Sequence, residues 1–173
     1  MHEPVGPSDP AGSLAEPDAR YLRMALAIAI RSRQDGHHPF GALVVDEHGK
    51  VVVEAANNSM PPDGDPTQHA ERLAAAEAAR ILSPRALAKA TLYSSAEPCA
   101  MCAGAIYWCN IGRVVYAMSE DDLRTLTGDH PDNPTLSLPC RDVLACGQRL
   151  VEVVGPVPEL APEAAVAHAG FWG

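Results

Sequence analysis

The sequence predicts an α/β fold in which helices cover both faces of a sheet. Short runs rich in β-branched residues alternate along the 173-residue chain with longer segments whose apolar residues recur at helical spacing. Pro and Gly cluster between these segments, at 61–66, 128–139 and 155–162, which indicates loops. A chain of this length can bury a full core in one domain without disulfides.

The predicted elements follow an N-terminal tail. Residues 1–17 are rich in Pro, Gly and acidic residues and lack the features of a targeting peptide, so we expect a flexible tail before a single domain over 18–173. Apolar periodicity predicts a helix over 19–33, and β-rich runs at 41–46 and 51–55 predict a hairpin. The remaining predicted elements are helices over 67–82, 99–109 and 140–145 and strands over 91–95, 113–117 and 150–154. No segment is long and apolar enough to span a membrane.

Three candidate metal ligands lie in two short motifs. Cys99 and Cys102 are three residues apart and follow Pro98, so at the start of a helix both sulfurs face one side. The N–H groups and dipole of a helix N-terminus stabilise thiolates, the form that binds a metal. Catalytic zinc sites use three nitrogen or sulfur ligands and leave one position open. With His69 upstream, the sequence predicts one catalytic Zn²⁺ held by His69, Cys99 and Cys102.

Glu71 is the candidate general base. Two thiolates and a neutral imidazole balance the charge of Zn²⁺, so this ion acidifies water less than one held by three neutral ligands, and a nearby base is required. Residues two apart on a helix diverge by about 200°, so His69 and Glu71 can face one site only at a helix start. The preceding run Asp65-Pro66-Thr67 contains residues typical of a helix N-terminus.

Other interpretations of the cysteines are open. A lone C-x-x-C could be a redox pair, and a structural zinc would need a fourth ligand. Cys109 lies on about the same helical face as Cys102, but about 10 Å along the axis, which is too far for the same ion. Five cysteines without a signal peptide predict a reducing, cytoplasmic location.

The motifs together resemble the cytidine deaminase-like superfamily. The resemblance covers roughly residues 19–118, and within the superfamily it is to the branch of bacterial guanine deaminases, fungal-type cytosine deaminases and tRNA adenosine deaminases. It implies a three-layer α/β/α sandwich with a central five-stranded mixed sheet, one zinc per subunit and a dimer or higher oligomer, of which we expect the homodimer. The residues that carry it are Phe40-Gly41-Ala42, Asn58, Asp65-Pro66-Thr67, His69-Ala70-Glu71 and the run from Glu97 through Pro98, Cys99 and Cys102 to Ile106.

The same resemblance implies candidate substrate contacts. It implies that Asn58 hydrogen-bonds the substrate base and that Phe40 and Ala70 lie close to the ring, although Asn58 could also be an ordinary turn residue. Tyr107 could wall a pocket for a planar base, or it could belong, like Trp108, to the core or a dimer interface.

The class of substrate follows from the charge and from the family resemblance. The 22 acidic and 13 basic residues give a net charge of −9, which disfavours a nucleic-acid substrate. The run at 104–108 resembles guanine deaminases, so we expect a small aminated base, with guanine first. Cytosine or another nucleobase or nucleoside is the alternative, followed by tRNA adenosine. The alternative that is not an enzyme is a zinc-containing scaffold that acts only by binding a partner.

Two further segments are candidate specificity elements. Guanine deaminases of this type use an acidic residue to read purine N–H groups, and the predicted loop at 119–139 offers Asp121, Asp122, Asp129 and Asp132, of which Asp129 is our candidate. Near the C-terminus, Phe171 or Trp172 could close over the bound base, or the segment could simply be pinned to the core.

Overall fold

A computed structural model describes residues 14–173 and contains one five-stranded mixed sheet in the order β2-β1-β3-β4-β5. The strands are β1 (Gly41–Val45), β2 (Val51–Ala56), β3 (Thr91–Ala96), β4 (Arg113–Met118) and β5 (Glu152–Val154). The helices are α1 (Glu16–Gln34), α2 (Ala70–Ile81), α3 (Pro84–Leu87), α4 (Ala100–Trp108), α5 (Glu120–Thr127), α6 (Cys140–Ala145) and α7 (Ala161–Val166). Among these described residues, no helix has the length and hydropathy needed to cross a membrane.

Alternating side chains of the sheet build two separate cores. β1 runs antiparallel to β2 and β3, whereas β3, β4 and β5 are parallel. Ala42 and Val44 of β1 point into the core formed with α2, α4 and α6, and Leu43 and Val45 point into the core formed with α1, α5 and α7. The predicted α/β/α sandwich with a central five-stranded mixed sheet is therefore confirmed.

Two helices were missed in segments that the sequence predicted to be loops. α5 lies within 119–139, where Ser119 caps it by accepting a hydrogen bond from the N–H of Asp122 at 3.0 Å. Its acidic first turn resembles a solvated loop, but Leu123 on its inner face is buried. α7 begins within the predicted loop at 155–162, and its six residues are too few to show helical periodicity.

The predicted boundaries differ from the observed ones at several positions. The helix predicted over 67–82 begins only at Ala70, because His69 is its extended N-cap, and the last strand is confined to Glu152–Val154. Residues 1–13 of the predicted tail lie outside the described residues, and α1 begins at Glu16.

A buried carboxylate fastens α1 to the sheet. Asp18 is 7 % exposed and accepts hydrogen bonds from the Tyr93 hydroxyl at 2.6 Å and from both terminal nitrogens of Arg113 at 2.8 Å. Arg113 also pairs with Glu152 at 3.2 Å. The bonds from Arg113 hold the pKa of Asp18 below its ordinary value of 3.8.

Replacing Asp18 tests this network. Asp18→Asn should lower the free energy of unfolding at pH 7 by about 2 kcal/mol, because the partly buried Arg113 guanidinium loses the more buried of its two charged partners. Since the pKa of Asp18 is lowered in the folded state, its stabilisation is complete above pH 3.8 and is lost as the pH falls through the folded-state pKa. Urea denaturation at pH 7 and at stepped pH below 4 measures the difference, with the exposed Asp35→Asn as control. A pH-independent difference between Asp18→Asn and the parent would contradict this account.

Candidate active site

Two helix N-termini bring the predicted metal ligands together. His69 is the N-cap of α2 and Cys99 is the N-cap of α4, while Cys102 lies in the first turn of α4. One donor atom from each of the three residues lies within 4.8 Å of the others. Cys99 Sγ and His69 Nδ1 are 3.6 Å apart, within hydrogen-bond distance for sulfur. Three donors at this spacing can hold a single ion.

The chemistry of the donor set suits zinc. Two sulfurs and one imidazole are borderline-soft ligands, the combination that zinc prefers. Hydrogen bonds from Cys102 and His69 lower the pKa of the Cys99 thiol to about 4, so Cys99 is a thiolate at neutral pH. The hydrogen bond between the two cysteines and burial raise the pKa of Cys102 instead. Binding of an ion must therefore release the proton of Cys102, and metal affinity should fall as the pH falls.

Glu71 lies beside these donors and is buried. The residue is only 5 % exposed. Its carboxylate accepts a hydrogen bond from the Ser94 hydroxyl at 3.0 Å and another from Cys102 Sγ at 3.5 Å. Burial raises the pKa of Glu71, which is the direction expected for a group that takes up and returns protons near neutral pH. Sequence reasoning missed Ser94, although the two adjacent serines of β3, Ser94 and Ser95, lie in a predicted buried strand and were a signal for it.

A cavity of about 710 Å³ opens onto the metal donors. His69 and Cys99 form part of its wall, and nearly half of the lining residues come from the segment 120–136. The lining residues are His38, Ser59, Met60, Pro61, Pro66, His69, Cys99, Met101, Glu120, Pro131, Asp132, Asn133, Pro134, Thr135 and Leu136. This volume is within the usual range for sites that bind small organic molecules.

Two carboxylates line this cavity. Burial raises the pKa of Glu120 to about 7, and the nearby Cys99 and Glu71 contribute in the same direction. Asp132 is the one of the four candidate aspartates that lines the cavity, whereas Asp129 is exposed outside the lining. Sequence reasoning did not single out Glu120, because it lies in a run of acidic residues that resembles a solvated surface.

Asn58 lies directly before the lining residue Ser59. Its side-chain amide donates a hydrogen bond to Gln68 Oε1 at 2.5 Å, and its backbone N–H donates to the carbonyl of Gln68 at 2.9 Å. A side chain at Gly64 would overlap the carbonyl oxygen of Asn58, so glycine is required for this close approach. Asn58 is thus held against the residue that precedes the metal ligand His69.

The C-terminal aromatic residues lie behind the cavity wall. Trp172 is 8 % exposed, donates its indole N–H to His168 Nδ1 at 3.1 Å and contacts His38 with ring centroids 5.2 Å apart. Phe40 packs in the same cluster, 6.2 Å from Trp172 between ring centroids. The burial of Trp172 shows that the C-terminal segment is packed against the core. Of this cluster, His38 lines the cavity, so the segment supports the cavity wall through His38.

The structure places Tyr107 and Ala70 away from the cavity lining. Tyr107 is eight residues beyond Cys99 in sequence, about 12 Å along a helix. Its hydroxyl accepts a hydrogen bond from the N–H of Gln148 at 2.9 Å, and the Arg149 guanidinium lies 4.3 Å from its ring centroid. Ala70 is fully buried in the core between α2 and the sheet.

The α/β/α sandwich, the His-Cys-Cys donor set and the adjacent buried carboxylate define a zinc-dependent hydrolase. The chain belongs to the cytidine and deoxycytidylate deaminase family, because residues 15–118 match its zinc-binding region. It is therefore a zinc-dependent hydrolytic deaminase.

Known proteins of several substrate types are similar to this chain. A probable cytosine deaminase from Schizosaccharomyces pombe is 43 % identical over 92 % of this chain and 94 % of its own length. A guanine deaminase from Bacillus subtilis is 39 % identical over 59 % of this chain and 65 % of its own length. The solved structure of a guanine deaminase from Nitrosomonas europaea has the same fold, with a TM-score of 0.69 and 24 % identity over 98 % of this chain and 96 % of that one.

The residues around the donor set supply proton transfer. Zinc, when bound by His69, Cys99 and Cys102, supplies a Lewis acid that activates water for attack on the carbon bearing the amino group. We propose that Glu71 takes a proton from the attacking water and passes it to the ring nitrogen, then takes the proton of the hydroxyl newly added to the substrate carbon and passes it to the departing amine. The Ser94 hydroxyl orients the Glu71 carboxylate through their 3.0 Å hydrogen bond.

Substitutions separate metal binding from proton transfer. Glu71→Gln should keep one zinc per chain and lose at least about 100-fold in kcat, because the amide cannot accept the proton. His69→Ala should lose zinc as well as activity. Glu77→Gln, a half-exposed glutamate on the same helix, is the matched control and should change neither. Elemental analysis and ammonia release measure the two properties, and a fully active Glu71→Gln enzyme would exclude Glu71 as the proton carrier.

Proposed function

We propose that the substrate is a free nucleobase and that guanine is the preferred one. The observation that carries the proposal is the pair of carboxylates, Glu120 and Asp132, in the wall of the cavity beside the metal donors. Each of these groups, when ionised, accepts hydrogen bonds from ring N–H groups, and guanine presents more such groups than cytosine does. The cavity of about 710 Å³ has ample room for a purine.

Cytosine is the second candidate substrate. It is favoured by the 43 % identity with the probable cytosine deaminase of Schizosaccharomyces pombe, which extends over almost the whole of both chains. A nucleoside is a further alternative, since the cavity exceeds the size of a single base. Transfer RNA is disfavoured, because the net charge of −9 repels phosphates, although tRNA adenosine deaminases are among the relatives.

We also propose a homodimer in the cytoplasm. An exposed aromatic side chain supports the dimer: Trp108, at the end of the helix that carries both ligand cysteines, is 84 % exposed, and large aromatic residues are enriched in protein interfaces. The cytoplasmic location is supported by the free state of all five cysteines, two of which are needed as thiolates.

A substrate panel tests the proposed specificity. Zinc-loaded protein should release ammonia fastest from guanine, with kcat/KM for cytosine at least about tenfold lower, because fewer N–H groups meet the cavity carboxylates. Guanosine, cytidine and a tRNA anticodon stem-loop complete the panel, and Glu71→Gln protein gives the background. Faster turnover of cytosine would reverse the order of the two bases. Inosine formation in the stem-loop would support the RNA alternative, and silence on every compound would favour a binding scaffold.

A matched pair of aspartates refines the same experiment. Asp132→Asn should lower kcat/KM for guanine by about tenfold, the loss expected for one charge-assisted hydrogen bond. Asp129→Asn should leave it unchanged, because Asp129 is exposed outside the cavity lining. The opposite result would return the substrate-reading role to Asp129.

A further inference from the structure

We propose that Glu97 is a positioning residue that fixes the wall of the substrate cavity by holding both ends of the segment 120–140. This inference rests on the proposed function, because the wall it fixes is the one assigned to the base. Glu97 itself does not line the cavity. It acts through the backbone of the residues that do.

The carboxylate of Glu97 bridges two backbone amides that are far apart in sequence. Its Oε2 accepts a hydrogen bond from the N–H of Glu120 at 3.0 Å, and its Oε1 accepts one from the N–H of Cys140 at 2.9 Å. These amides belong to the first residues of α5 and α6, whose N–H groups have no acceptor within their own helices. Glu97 is 7 % exposed, so few water molecules can replace it as the acceptor.

Beyond α5, the segment between the two amides packs its His130 ring on Trp172, with centroids 5.4 Å apart, but it makes few hydrogen bonds to the rest of the chain. Among the described residues, the backbone N–H groups at 128–138 that form hydrogen bonds find acceptors within the segment itself, as with His130 to the carbonyl of Thr127 and Asn133 to that of His130. The buried polar atoms Thr127 Oγ1, Asn133 Nδ2 and Thr135 Oγ1 have no hydrogen-bond partner. Most of the cavity-lining residues of the segment, Pro131 to Leu136, lie in this part. Its position therefore depends strongly on how its ends are fixed.

Glu97 also connects this wall to the metal donors. It immediately precedes Pro98 and the ligand Cys99, and its own N–H donates to the carbonyl of Met118 at 2.8 Å, at the end of the neighbouring strand β4. One residue thus joins the turn that carries a metal ligand to the segment that faces it across the cavity. Loosening Glu97 should disturb the separation of substrate and wall while leaving the three metal donors in place.

Glu97→Gln tests the proposal with the least change of shape. A glutamine side chain has one acceptor oxygen in place of two. Its NH₂ group then faces the second backbone N–H, so that N–H loses its acceptor. We expect KM for guanine to rise by about tenfold, kcat to change by less than about threefold and zinc content to be unchanged. Hydrogen exchange of backbone amides in 120–140 should accelerate, and this readout requires no substrate.

One control separates positioning from general stability. Asp18→Asn removes another carboxylate that is also 7 % exposed and bridges two other groups, but these partners, Tyr93 and Arg113, do not line the cavity. It should lower stability without raising KM and without faster exchange confined to 120–140.

A backbone substitution tests the hydrogen bond from its other side. Glu120 is the first residue of α5 and follows Ser119 in an extended conformation, so proline is tolerated there; it removes the backbone N–H that donates to Glu97, together with the Glu120 carboxylate. Glu120→Ala is its matched control, because it also lacks the carboxylate but keeps the N–H. In the Glu120→Pro background, Glu97→Gln should have a smaller effect on exchange and on KM than in the Glu120→Ala background.

The outcomes separate the two proposals. Unchanged exchange in 120–140 for Glu97→Gln, or equal effects of that substitution in the two Glu120 backgrounds, would overturn the role of Glu97. So would a parallel loss of zinc, kcat and stability, which indicates a merely structural residue. If no base is turned over but exchange and the Glu120 comparison behave as expected, Glu97 does hold the segment and the substrate assignment is what fails.

Discussion

The convergence of two helix N-termini at one end of the sheet is the constraint on which the rest of the site depends. α2 begins after His69 and α4 begins after Cys99, and only their meeting brings an imidazole and two sulfurs within 4.8 Å. The same arrangement explains why His69 and Glu71 can face one place although they are two residues apart, because His69 is extended and outside the helical repeat. A displacement of either helix would separate the donors.

Burial of Glu71 gives this arrangement its chemistry. An isolated carboxylate in an apolar interior is costly, and here the hydrogen bonds from Ser94 and Cys102 offset part of that cost. The burial that raises the pKa of Glu71 also brings its carboxylate within 3.5 Å of a metal donor. Glu120 and Asp132 line the cavity that opens onto these donors, and the proposed preference for substrates rich in N–H groups rests on them.

The sequence predicted those parts of the fold and the site that depend on residues close together in the chain. The three metal donors, Glu71 and the central elements follow from intervals of a few residues and from apolar periodicity, and the structure brings these residues together. The cavity wall could not be predicted in this way, because Glu97 meets its two amide donors 23 and 43 residues further along the chain. Helix α5 was missed because its acidic first turn resembles a solvated loop. The position of Tyr107 relative to the cavity could not be predicted either, because composition does not show which way this side chain points from α4.

The coordination of zinc in the purified protein is the most direct test of the central claim. X-ray absorption at the zinc edge should find two sulfur ligands at about 2.3 Å and one imidazole nitrogen at about 2.0 Å, with the fourth position taken by a light atom from solvent. That result is expected for an ion held by His69, Cys99 and Cys102 with an open position for water. A third sulfur, or a fourth ligand from the protein, would indicate a closed structural site and contradict the assignment of a catalytic centre beside Glu71.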